Sequence, residues 1–148
     1  MKNTFNIKSA IILGMHDAIV SLTGLIAGLF FAFTDTTIII ISCIISSITA
    51  SISMGAANYL AEKTDNKRYA LRAAIYTFIS YLATCVLLIL PFFIFSNRTL
   101  TFASVVGMVV FIIFVFNWFF YRGESFYKHF FEMFSICALF LKMIESFI

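Results

Sequence analysis

The sequence predicts an all-α, polytopic membrane protein with five transmembrane helices, and three observations carry that prediction. Of 148 residues, 62% are hydrophobic and only 11% are charged, against about 25% charged in soluble domains. The charges collect at the N-terminus, between Glu62 and Arg72, and at a few isolated positions, which leaves uncharged runs long enough to cross about 30 Å of hydrocarbon. Those runs are long and continuous, with no alternation of polar and apolar residues. Lipid offers no partner to a bare backbone N–H or C=O, so helices are predicted and a barrel is not.

The first span is predicted over 11–33. Lys2 and Lys8 precede it as in a secretory signal. Its apolar run is too long for a signal core and lacks a small-x-small cleavage pattern, so it is expected to be a retained first helix. The turn "FTDTT" leads to the second span at 37–61, "EKTDNKR" to the third at 70–95, "FSNRT" to the fourth at 100–121, and "RGESFY" to the fifth at 128–147. The fifth carries Glu132, Lys142 and Glu145, so it either lies in the interface or needs partner groups to insert. Connections this short make consecutive helices antiparallel neighbours in one domain, 1–148. Pro91, near the outer end of the third span, is predicted to end or kink it. The Phe residues and the Trp118–Tyr121 stretch are expected to face lipid and the interface. Cys43, Cys85 and Cys137 lie far apart within spans, which fits small apolar packing residues better than a disulfide framework or a thiolate metal cluster.

Lys and Arg set the expected orientation. With the N-terminus inside, the cytoplasmic side holds Lys2, Lys8, Lys63, Lys67, Arg68, Arg72, Arg122 and Lys128, while the far side holds Arg98. The C-terminus is then outside. The net charge of +3 follows from this bias and implies no nucleic-acid partner.

Chemistry is expected where polar groups enter the spans. In the first, Asp17, Ser21, Gly24 and Gly28 follow at steps of four, three and four and share one face. Gly24 and Gly28 make a small-xxx-small surface for close helix packing, which would turn Asp17 toward protein and away from lipid. A carboxylate within a span costs about 2.5–3.5 kcal/mol on insertion scales, so it is retained for a partner or a task. In the second span Ser47, Ser51, Met54, Asn58 and Glu62 form a stripe that ends at the cytoplasmic surface, with Ser42, Ser46, Thr49 and Ser53 beside it. Small hydroxyl residues permit close packing and bond back to their own helix. Antiparallel packing of the first two spans would bring Asp17 near Met54 and Asn58. Carboxylate and amide oxygen alone suit Mg²⁺ or Ca²⁺, whereas a thioether and a nearby imidazole from His16 shift the choice toward Fe²⁺ or Mn²⁺.

"GMHDAIVSLTGLIAG" resembles the first-helix signature of the vacuolar iron transporter family, a Gly-Leu-Asn-Asp-Gly run followed by Ser or Thr and spaced glycines. "ASISMGAANYLAEKTD" is similar to its second-helix signature, Ser-Met followed by Glu-Tyr-Leu-Ser. The resemblance implies a five-helix protomer, a homodimer, and metal passing between the two copies of the first helix with proton antiport as the drive. It places ligand roles on Asp17, Met54 and Asn58. The sequence departs from the pattern in three places: Ala18 follows the Asp where the family has Gly, His16 precedes it where the family has Asn, and Asn58 replaces the second-helix Glu. Glu62, one turn on, is a candidate for the missing carboxylate. The short connection "EKTDNKR" resembles the short family members that lack a Glu-rich cytoplasmic helical domain. Glu124, His129, Glu132 and Met133, near the start of the fifth span, could assist capture.

The expected function is export of Fe²⁺ or Mn²⁺ from the cytoplasm, with the ion as substrate and no resident cofactor. Proton and metal would compete for Asp17, the simplest basis for antiport. The expected setting is the plasma (inner) membrane of a bacterium, or otherwise an organelle membrane. The alternative is a non-transporting relative acting as metal sensor, assembly partner or structural subunit. No nucleophile-base pair, phosphate loop or cofactor motif suggests an enzyme.

Overall fold

A computed structural model describes residues 7–65 and 67–120, together with scattered positions between 128 and 146. Four helices are described: α1 (Ile7–Ala32), α2 (Thr36–Asp65), α3 (Lys67–Ile94) and α4 (Arg98–Phe120). Each contains a stretch long and apolar enough to cross a membrane. They coincide with the first four predicted spans. The fifth, 128–147, lies largely outside the described residues; those described within it, such as Lys128, Glu132 and Lys142, are helical.

The helices overrun the apolar windows, because backbone pairing continues where hydropathy stops. α2 runs through the charged turn to Asp65 and α3 resumes at Lys67, which leaves no room for an inserted domain between them. Two starts are set by side-chain caps that supply acceptors for free first-turn N–H groups. The Thr37 amide donates to Asp35 Oδ1 at 2.8 Å, and the Thr99 amide to Asn97 Oδ1 at 3.2 Å. Of the two outcomes expected for Pro91, ending the helix does not occur. Proline removes one donor from the ladder, but its own carbonyl still accepts, here from the Phe95 amide at 3.0 Å, and α3 continues to Ile94.

α3 is the central element, packed extensively on both α1 and α2, and α4 closes against α1 and α3. The core joins Met15, Ile19, Leu22 and Ile26 of α1, Ile39 and Cys43 of α2, Tyr81, Cys85 and Leu88 of α3, and Val105, Val109 and Ile113 of α4. Cys43 and Cys85 are free and buried, as expected of packing residues; Cys137 lies outside the described residues. The outside is equally apolar. Ile45 is 61% exposed, Phe93 68% and Phe119 77%, which no water-soluble surface of this extent would tolerate. Together the helices form an integral, multi-pass membrane protein.

Polar bonds hold the helix pairs where lipid supplies no hydrophobic force between them. Thr77 Oγ1 donates to the Ala10 carbonyl at 3.2 Å and Ser80 Oγ to the Ile11 carbonyl at 2.8 Å, fixing α3 to the start of α1. Between them α1 presents Gly14, whose absent side chain lets the Thr77 backbone come so close that a Cβ would collide with its carbonyl oxygen. At the other end, the Arg98 guanidinium donates to the Phe30 carbonyl and lies 4.4 Å from the Phe30 ring centroid. The first residue of α4 thereby answers the unpaired carbonyls and negative dipole end of α1.

Candidate functional site

The position of Asp17 follows from the way α1 docks. Gly14 and Ala18 are buried against the bundle, and at 100° per residue Asp17 lies about 60° round the helix from the first and about 100° from the second, toward the edge of the packed face. In the single chain Asp17 is exposed, and so is Ser21, one turn further along the same strip. The two glycines of the predicted packing face divide: Gly24 is buried, whereas a Cβ at Gly28 would meet nothing within 4 Å. The Asp17 carboxylate is therefore not sheltered between helices of its own chain; the close approach of α1 to α3 is made one turn earlier, at Gly14. Among the described residues no cation or hydrogen-bond donor pairs with it.

Asn58 faces a different neighbour from the one predicted. Its Nδ2 donates to Thr77 Oγ1 at 2.5 Å and reaches the Ala73 carbonyl at 3.4 Å, both on α3. Thr77 in turn donates to Ala10, so Asn58 joins α2, α3 and α1 at the level of Ala10. Asp17 lies seven residues further along α1, about 10 Å at 1.5 Å per residue. The expected grouping of Asp17 with Asn58 is thus replaced, within one chain, by an amide brace. α3 outcompetes α1 for Asn58 because it lies against α2 over most of its length.

The remaining predicted residues are placed as follows. Met54 is half-buried and packs on the apolar core. His16 is half-buried, about 100° around α1 from Asp17. Glu62 is half-buried in the last turn of α2. Glu124, His129 and Met133 lie outside the described residues, and Glu132 is exposed. Among the described residues no three His, Cys, Asp or Glu side chains converge as a metal cluster.

Three hydroxyls in the middle of α2 bond back to their own helix, as predicted. Ser47 Oγ donates to the Cys43 carbonyl at 2.6 Å, Thr49 Oγ1 to Ile45 at 3.0 Å, and Ser51 Oγ to Ile48 at 2.8 Å. The adjacent row, Ser42, Ser46, Thr49 and Ser53, lines an open groove of about 610 Å³ along α2.

Two residues of α3 that pack on α1 escaped the sequence reading. Tyr81 of α3 is 2% exposed, and its hydroxyl lies 2.6 Å from Ser21 Oγ. Thr77 is fully buried and carries the brace just described. Neither belongs to a charged or motif-like run; only a polar residue recurring every four positions on a helix of otherwise apolar face, Thr77, Tyr81 and then Cys85, marks them.

Residues 8–71 match the model of the VIT family, a stretch that contains α1, α2 and the start of α3 and hence Asp17, Met54, Asn58 and Glu62. No curated protein matches the chain. The match covers the two helices that carry the candidate ligands and agrees with the resemblance of their motifs to the vacuolar iron transporter family.

Proposed function

We propose that this protein is a homodimeric membrane transporter that exports Fe²⁺ or Mn²⁺ from the cytoplasm, with protons moving the other way. One observation carries the reading: within a family-matched helix, Asp17 is exposed on a membrane-spanning segment with no counter-charge in its own chain among the described residues. Left against acyl chains it costs about 2.5–3.5 kcal/mol. A second copy covering the α1 strip and a divalent cation on the carboxylate remove that cost together. Met54 would add a polarizable ligand from α2, and a thioether, with the His16 imidazole as a further candidate, would suit Fe²⁺ or Mn²⁺ better than Mg²⁺ or Ca²⁺. His16 and Glu62 are secondary candidates at the cytoplasmic third of the path. In a metal-sensitive host, the wild type is expected to confer tolerance to Fe²⁺ or Mn²⁺ and Asp17→Asn to abolish it. Equal protection by both eliminates Asp17 as the site.

The engagement of Asn58 by Thr77 favours a second reading, a non-transporting relative that serves as metal sensor, assembly partner or structural subunit. Flux in reconstituted vesicles separates the two, because the second reading requires no flux of Fe²⁺, Mn²⁺, Co²⁺ or Zn²⁺ in either direction.

A further inference from the structure

Tyr81 is a buried phenol in a membrane bundle, and a buried hydroxyl proton without an acceptor is costly. Among the described residues its hydrogen-bond partner is Ser21 Oγ, at 2.6 Å. Ser21 is exposed and has alternatives for its own proton, including the carbonyl four residues back. The proton that must be placed is that of Tyr81, so Tyr81 donates and Ser21 accepts. A serine oxygen has two lone pairs. One is occupied by Tyr81, and the contact fixes the Ser21 side chain; the other is left on the strip that Asp17 occupies.

Asp17 and Ser21 are four residues apart on one helix, so their Cβ atoms are about 5–6 Å apart. That is the spacing at which a helix chelates a metal with two side chains, as in the i, i+4 histidines of H-E-x-x-H sites. A carboxylate and a hydroxyl, both open to the same side, supply hard oxygen donors to such an ion. We propose that Ser21 is a second cation ligand beside Asp17, and that Tyr81 is the positioning residue that holds its oxygen toward the ion. The inference rests on the metal-transport reading above and gives the site a preference for oxygen-loving divalent cations. Tyr81 reaches the ion through Ser21 and does not touch it.

The test is binding of Mn²⁺ and Cd²⁺, each alone, to the purified full-length protein in detergent. Wild type is expected to bind Mn²⁺ and Asp17→Asn to lose it. Ser21→Ala and Tyr81→Phe are each expected to weaken Mn²⁺ by about tenfold, the scale of losing a ligand or the group that orients one. Ser21→Cys, which keeps the side-chain shape, is expected to raise Cd²⁺ preference over Mn²⁺ by at least about tenfold, since sulfur selects the softer ion, and to add a thiolate-to-Cd²⁺ ultraviolet band that wild type lacks. A merely structural Ser21 changes neither the ion ratio nor the spectrum. Should Ser21→Cys keep the wild-type ratio while Asp17→Asn still abolishes binding, the Ser21 assignment is overturned and the transporter reading stands. Should wild type bind no Mn²⁺, or Asp17→Asn bind it equally, both fall.

Discussion

Replacing Gly14 by Ala tests the contact that sets how closely α1 approaches α3 one turn before Asp17. At this position a Cβ would overlap the Thr77 carbonyl oxygen and stand 3.1 Å from its carbon and 3.2 Å from its Cα. All three are backbone atoms of a helix held by its own ladder, so no side chain can swing away. Overpacking costs about 1–3 kcal/mol, and a rigid obstacle places this case near the upper end. Against it stands about 1 kcal/mol that Ala gains over Gly within a helix, which leaves a net loss of about 2 kcal/mol. For a chain of this size that lowers the melting temperature by about 4–8 °C. Gly107→Ala is the control: Gly107 is exposed in α4, a Cβ there meets nothing within 4 Å, and its melting temperature should hold or rise. The assay is thermal unfolding of both purified variants in one detergent, followed by helical circular dichroism. Gly14→Ala melting at or above wild type would falsify the close α1–α3 approach.

Two further substitutions probe the same framework. Asn58→Ala removes the donor to Thr77 and should cost about 1 kcal/mol, whereas Asn58→Glu sets a carboxylate against two acceptors, the Ala73 carbonyl and a Thr77 oxygen whose proton is already given to Ala10, and should cost about 2–3 kcal/mol. The order of their melting temperatures checks this, and Glu more stable than Ala would show that position 58 accepts a charge; flux gained by Asn58→Glu from a native chain that has none would establish the non-transporting reading. Arg98→Met keeps the bulk but loses the bond to Phe30 and the ring contact, an expected loss of about 1–2 kcal/mol read by the same melt, with Arg98→Lys retaining part of it.

Much of this architecture was legible because hydrophobic length is a local property. Four of the predicted spans correspond to α1–α4, and the turns "FTDTT" and "FSNRT" contain the caps Asp35 and Asn97 in plain view. Helix ends were less legible. Residues Glu62–Asp65 are polar and read as a turn, yet the ladder of α2 persists through them, since hydrogen bonding does not stop where lipid does. Pro91 does not stop α3 for a related reason: near the end of a helix the single donor it removes interrupts little. Neighbour choice was the least legible. That Asn58 meets Thr77 instead of Asp17 depends on which of two helices α2 lies against, and nothing in a periodic stripe encodes the direction of its partner. Gly14 was visible in "GMHD" but reads as one more small residue until a backbone is seen against it. Ser21 shared its face with Asp17 on spacing alone; its tie to Tyr81 joins residues 60 positions apart, beyond any local pattern.

The exchange of Glu for Asn58 bears on how many charges the proposed site must balance. With a carboxylate at both positions, a dimer would bring four negative charges to its central path, and a lone divalent ion would leave half of them unanswered. Asn58 is neutral, and its amide is turned to α3, so the two copies of Asp17 contribute two. Like carboxylates brought together in a low dielectric repel, and one divalent cation cancels that pair. Loss of the ion then restores the repulsion unless a proton takes its place. In the proposed dimer, exchange of metal for protons would then need Asp17 alone, and Asn58 is left to brace α2 against α3.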